Sequence, residues 1–508
     1  MCAEALQHRE ITPTQRISQR WDLWLIVLLG LYFLGRLFYF AFTVGPGVPP
    51  DEMTHIGTAR LYAETLFGVE DSVATLRYGL VTHVPYLYYF LMGKGAALLG
   101  DAGYITLRVL NIGLALAFLV VAYRLSLLVL KSRLMRVLFF VMLTNTLMFS
   151  FLSASVNYDN LTNLLALLAV YFLVRYVYPS SGCLSPSSGC SGSGDPADLL
   201  LFFISAALGL LTKGTFLMLA PVFTVVWLMS RRQTLWADMQ QLFQEVRSGR
   251  RYILALAVVA FLCVVANLSL YGTNLVRYGH IVPSCGQVLS HEKCMENRIY
   301  ARNWVVSQYR TDKLSYMDAW RATETIRHPG DIAHAKRLLN NERQYKVAKP
   351  ENLNMLDYMH LVWDQAMKPS VFGIQAHRSM LRSPNELWVY GVICFVALLL
   401  MVRTICFDGS DKLWLGVVAI VFGYYLFLVG YYNYTGYLEH HALLLGVQGR
   451  YLFHVLVPAY LLMAEFLLRP FPKWGQVIVT CVVAGVFIMG DFPYYLSRVT
   501  EAWANSIG

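Results

Sequence analysis

The chain divides into roughly eleven apolar runs, near 21–43, 105–130, 136–153, 160–178, 198–211, 215–230, 252–270, 387–404, 413–432, 451–468 and 474–490. At 1.5 Å of rise per residue, most of these are long enough to cross the roughly 30 Å hydrocarbon layer of a bilayer as helices. Inside that layer every backbone N–H and C=O needs a partner within the chain, which leaves helices as the structure such runs can adopt. The predicted fold class is an all-α polytopic membrane protein of about 11 transmembrane helices, with interfacial helices in the first external loop and a mostly helical external loop domain. With 57% hydrophobic and only 14% charged residues, an ordinary soluble enzyme is excluded.

A formal net charge of +10 raises the question of nucleic acid, but the basic residues are placed where membrane spans need them. Arg9, Arg16 and Arg20 precede the first run, Lys131, Arg133 and Arg136 separate the second from the third, and Arg231, Arg232, Arg247, Arg250 and Arg251 crowd the approach to the seventh. Cytoplasmic loops collect Lys and Arg, so the N-terminus is predicted to be cytoplasmic and no nucleic-acid partner is implied. Three parts follow: 1–270, an N-terminal transmembrane module whose first external loop is 44–104; 271–386, an external loop domain; and 387–508, the C-terminal transmembrane helices. The Ser/Gly-rich stretch 180–194 is predicted to be a flexible cytoplasmic linker. Cys285 and Cys294 share the external loop, where an oxidising compartment would allow a disulfide.

Candidate chemistry begins at Pro50-Asp51-Glu52-Met53-Thr54-His55, directly after the first run. Two adjacent carboxylates and a histidine at a membrane boundary are costly to retain without a use. One use is structural: Asp51 caps a helix from Glu52 to Phe67 that lies along the outer surface and stops at Gly68. The other is chemical: Asp51 or Glu52 acts as a general base, its basicity raised by partial burial. Further along, His83 opens the aromatic stretch to Phe90, an interfacial belt whose rings also suit stacking on sugars. Asp159 sits in a very short external loop and reads either as another cap or as a second acid converging on the first.

Two cations fall on the same predicted side. Lys213 interrupts Gly209 to Thr215, and Arg450 stands in Gln448-Gly449-Arg450-Tyr451. The Lys could meet a phosphate as a point charge and the Arg could grip one bidentately. No cofactor is certain from the sequence; a divalent cation such as Mg or Mn on Asp51, Glu52 and Asp159 is the one suggested, since hard cations take oxygen ligands.

Together these motifs resemble the GT-C superfamily of polytopic glycosyltransferases that use lipid-phosphate sugars. More closely, they are similar to a bacterial membrane-protein branch with a Pro-Asp-Glu-x-x-His motif in its first external loop. The resemblance covers Pro50 to His55, Asn157-Tyr158-Asp159, Gly209 to Gly214 and Gln448 to Leu452. It implies that Asp51 and Glu52 supply or flank the base, that Asp159 is a second site acid, and that Lys213 and Arg450 hold the lipid phosphate. His55, His83 and Tyr451 complete the expected substrate-binding set. It also implies an inverting hexosyl or pentosyl transfer from a polyprenyl-phosphate donor to an envelope glycan, lipid or protein acceptor, at the outer face of a bacterial inner membrane. The alternative is a transporter or flippase for a lipid-linked or polar substrate, which would place charges near span midpoints.

Overall fold

The computed structural model describes residues 21–504, apart from 67, 77, 102, 179–193, 327–328, 349–350 and 410. Most of the predicted Ser/Gly linker, and the arginines ahead of the first run, lie outside the described residues. All eleven predicted runs are helical, and the described residues contain no strand, only an isolated bridge between Ile374 and Met380. Eight helices are long and apolar enough to cross a membrane, from Trp21–Thr43 to Lys473–Arg498, and up to nine if one bent pair is counted as a span.

The expectation of eleven spans is corrected at two places. Pro196–Thr212 and Phe216–Arg231 are apolar helices of 17 and 16 residues, short of a full crossing. The run 136–153 breaks into Arg133–Thr144 and Leu147–Ser153, bent by 65°. The break is buried, so the carbonyls it releases must find donors. Asn145 Nδ2 donates to the Val141 carbonyl at 2.9 Å, and Arg36 of the first span donates to the Thr144 carbonyl. Thr146 Oγ1 pairs with the Tyr460 hydroxyl at 2.6 Å. Arg36 also forms a buried ion pair with Asp491, tying the first span to the last.

This bent pair matters because it delivers residues 153–159 to the neighbourhood of the first external loop. That loop folds into Glu52–Glu64, which packs on Leu87–Leu98. Gly93 permits the approach: a Cβ there would lie 2.5 Å from the Ala59 carbonyl oxygen. The helix ends at Glu64, earlier than predicted, because Thr65 turns extended and its carbonyl accepts the Lys94 ammonium. Asp51 precedes the helix with φ of 57°, and its side chain makes no capping hydrogen bond, so the predicted cap is not formed.

In the segment 271–386, Arg298–Arg310, Tyr316–Ala322 and Pro329–Ala348 close around Val305, Val306, Ala319, Leu338 and Leu339. Cys285 and Cys294 are disulfide-bonded, and they pack against Leu76 of the first external loop.

Candidate functional site

Four of the five charged residues singled out in the sequence, Asp51, Asp159, Lys213 and Arg450, meet at one place. Arg450 donates from Nη2 to Asp51 Oδ2 at 3.0 Å, and its Nε lies 3.8 Å from Asp159 Oδ2. Lys213 pairs with Asp159 Oδ1 and sits over the rings of Tyr158 and Tyr451, at 4.6 and 4.4 Å from their centroids. These residues come from separate segments of the chain, and local sequence explains how each is aimed. Asp159 is the first residue of Asp159–Val177, with its N–H donated to Asn157 Oδ1 at 2.9 Å. Asn157 Nδ2 in turn donates to the Pro50 carbonyl at 3.2 Å, which links the second loop to the first. Lys213 follows Thr212, where one short apolar helix stops and the next begins at Phe216. Arg450 opens the helical turn Gly449–Val455, held by a hydrogen bond from the Gly449 N–H to Ser370 Oγ at 2.6 Å.

The two first-loop acids have different fates. Glu52 is fully buried and accepts both arms of Arg108, at 2.9 and 2.6 Å, plus the Val156 N–H at 2.8 Å. The remaining Arg108 nitrogen donates to the Ala41 and Val44 carbonyls. Burial pushes the Glu52 carboxyl upward against these hydrogen bonds, as expected for an acid at the membrane boundary, but both of its oxygens are engaged. Asp51 keeps 38% of its side chain exposed. Burial would raise its carboxyl, but Arg450, joined by His55 and His377, overrides that and holds it at about 2. The expected rise in basicity is therefore reversed at Asp51, because a cation in direct contact outweighs partial desolvation.

His55 stands behind this pair. Its Nδ1 contacts the Tyr89 hydroxyl at 2.8 Å, and its ring lies edge-on to Tyr158 at 4.5 Å. Burial pushes it down to about 4, with Asp51 opposing, so it is neutral at ordinary pH. His83 is drawn elsewhere: its Nδ1 meets Asn274 Oδ1 at 3.0 Å and its Nε2 the Tyr278 hydroxyl at 3.3 Å, at the C-terminal end of Arg251–Tyr278. A cavity of about 220 Å³ opens beside the cluster, lined by Thr58, Tyr78, Tyr89, Tyr158 and Lys213 among others.

Two neighbours of the cluster were not singled out in the sequence. Arg298, the first residue of Arg298–Arg310, brings Nη2 to 3.7 Å from Asp51 Oδ1 while Nη1 holds Asp331 at 3.2 Å. Nothing in the local pattern distinguishes it from the other basic residues of the external loop. Arg108 did carry a signal, a charge inside an apolar run, which asks for a buried partner.

The three carboxylates suggested for a divalent cation do not assemble into a ligand set. Asp51, Asp159 and Glu52 face Arg450, Lys213 and Arg108 respectively. Among the described residues there is no group of three or more His, Cys, Asp or Glu suited to a metal.

No protein-family model and no curated protein matches the chain. Solved structures do. The archaeal oligosaccharyltransferase AglB from Archaeoglobus fulgidus, in complex with an inhibitory peptide and a dolichol-phosphate, aligns with a TM-score of 0.50 at 13% identity, over 96% of this chain and 56% of that one. The oligosaccharyltransferase of the same organism in complex with zinc and sulfate aligns at 0.48 and 13%, over 94% and 53%. ArnT from Cupriavidus metallidurans bound to undecaprenyl phosphate aligns at 0.34 and 14%, over 87% and 77%. The chain spans about half the length of the AglB structures it matches. The first likeness, at low identity, shows a fold shared with that oligosaccharyltransferase.

Proposed function

We propose that this chain is an inverting glycosyltransferase that moves a single hexosyl or pentosyl unit from a polyprenyl-phosphate donor to a glycan, lipid or protein acceptor at the outer face of a bacterial inner membrane. One observation carries the reading: two cations, Lys213 and Arg450, and one accessible carboxylate, Asp51, meet beside an aromatic-walled cavity. The AglB structure carries a dolichol-phosphate, which agrees with a phosphate-lipid donor.

Of the two adjacent acids we assign the base to Asp51, because Glu52 has its oxygens committed to Arg108 and Val156. In the proposed step Asp51 takes the proton of an acceptor hydroxyl as that oxygen attacks the anomeric carbon from the face opposite the phosphate. The bond from anomeric carbon to phosphate oxygen breaks, and the electron pair leaves with polyprenyl phosphate. Arg450 and Lys213 meet the charge that grows on the departing phosphate, which is where preorganised cations lower a barrier most. Tyr158 and Tyr451, over which Lys213 sits, shield that ammonium from water, and Tyr89 offers the sugar an apolar face. His55 orients Tyr89 rather than moving a proton, and His83 belongs to the wall that joins the first loop to Arg251–Tyr278. The segment 271–386 covers the acceptor side.

The reading is tested by incubating the purified full chain with a panel of polyprenyl-phosphate sugars and envelope extracts, with mass spectrometry of new glycosidic products. Asp51→Asn should lower transfer by about 10²–10⁴-fold, the usual weight of a general base. Full transfer by Asp51→Asn, or movement of substrate across sealed vesicles with no new glycosidic bond, would count against it.

A further inference from the structure

The cluster is electrically complete before any ligand enters. Arg450 and Lys213 are matched by Asp51 and Asp159, all four in contact. A phosphodiester donor brings one more negative charge into a site where Arg450 is 3% and Lys213 5% exposed. Adding an unmatched charge to a buried, balanced cluster is expensive, so an anion already there has to give way. The donors point the same way: Arg450 Nη1 is buried without a hydrogen-bond partner, and its Nε has only Asp159 Oδ2 at 3.8 Å, beyond hydrogen-bond reach. The guanidinium is thus aimed at more acceptors than the chain supplies.

The two carboxylates are not equally able to leave. Asp159 has no exposed surface and is fixed at the start of a helix with Lys213 on its Oδ1. Asp51 is 38% exposed and lies ahead of its helix in a left-handed backbone conformation. It also has a second cation waiting on the solvent side, Arg298, at 3.7 Å from Oδ1. At that separation the pair is electrostatic and not a hydrogen bond.

We propose that Asp51 is the resting occupant of the phosphate-binding edge of Arg450, and that the phosphate of the donor lipid displaces it toward Arg298. The inference rests on the reading of Arg450 as a phosphate-binding residue and adds a regulation to it. The displaced carboxylate exchanges the buried Arg450 for the more exposed Arg298, so Asp51 is presented to the acceptor only once the donor is seated. Arg298 acts as a positioning residue that receives the displaced carboxylate on the acceptor side. Donor then binds before acceptor.

The test is binding of undecaprenyl phosphate, used alone as the probe, to the purified full chain in nanodiscs. Asp51→Asn and Asp51→Ser remove the internal competitor and should each bind the probe about tenfold more tightly than the parent, equivalent to about 1.4 kcal/mol. Arg298→Ala, which removes the landing site, should bind it several-fold more weakly, with Arg298→Lys restoring most of the affinity. Unchanged or weakened binding in the Asp51 variants, the result expected if Asp51 helped to hold the phosphate through a bridging cation, would overturn the exchange. If neither Asp51 variant folds, an Arg298→Ala chain that binds as well as the parent overturns it instead. A parent chain that does not bind the probe sinks the phosphate reading and the exchange together, whereas a parent that binds without tightening in the variants sinks the exchange alone.

Discussion

Glu52 and Arg108 form a closed, two-armed ion pair at 2.9 and 2.6 Å with at most 1% of either side chain exposed. The same guanidinium ties the carbonyls of Ala41 and Val44 at the end of the first span. Arg108→Ala would leave a buried carboxylate with the Val156 N–H as its one remaining donor and no cation, and two carbonyls without the Arg108 donor. The expected cost is about 3–5 kcal/mol, as for other buried pairs broken on one side. Thermal unfolding of the purified chain should show it as a large drop in midpoint, and Arg108→Lys should recover only part, since an ammonium cannot supply the fork. An unchanged midpoint combined with lost transfer would return Glu52 to the chemistry.

Asp51 gives a signature at low pH. Its carboxyl is held at about 2, below its ordinary value of 3.8, chiefly by Arg450 acting against burial. A depressed acid contributes stability that is complete above the unfolded value and is lost as pH falls through the folded one. The parent should therefore lose thermal stability between about pH 4 and 2, and Asp51→Asn should lose less over that interval. Parallel curves for the two chains would mean that the Asp51 and Arg450 contact contributes nothing to stability.

His55 acts in a separate window. Burial holds it at about 4 against an ordinary value of 6.5. Protonation is thus harder in the folded chain, and stability present above pH 6.5 drains as pH falls toward 4. The loss is on the order of 3 kcal/mol if the whole shift is expressed. His55→Phe should flatten the stability profile from pH 6.5 to 4 and leave the part of the Asp51 window that Arg450 sets below it in place. A profile for His55→Phe with the same slope as the parent would show that the ring is reached by water.

How far the sequence led is visible in these same residues. Asp51, Asp159, Lys213 and Arg450 could be grouped because the alternation of basic loops put them on one side of the membrane, and the structure brings all four into contact. Which of the adjacent acids is spent could not be read, since the partner of Glu52 lies 56 residues away in another helix. His83 opens the aromatic stretch to Phe90, but which partners hold its ring is not legible there, since Asn274 and Tyr278 lie nearly two hundred positions on. The helical content followed from apolar length alone. The broken run did not, because the bend at Asn145 depends on Arg36 and Tyr460 supplying partners from distant spans.

The disulfide offers the last test, because it sits where the external domain meets the first loop. Cys285 and Cys294 pack with Leu76, Leu80 and Tyr300, and Leu80 also lines the cavity. Three residues beyond Cys294, Asn297 caps the helix that carries Arg298, its Oδ1 accepting the N–H groups of Ile299 and Tyr300 at 3.0 Å. Closing a loop of nine residues restrains the unfolded segment by about 2–3 kcal/mol in the chain-entropy account. The double variant Cys285→Ser, Cys294→Ser should therefore exchange amide hydrogens faster through 285–310 and 73–80 while 104–177 stays protected. Because Arg298 rides on that segment, the same variant should also weaken undecaprenyl phosphate binding in the direction of Arg298→Ala. Faster exchange without any change in binding would separate the staple from the site, and would leave Arg298 positioned by its ion pairs to Asp331 and Asp51.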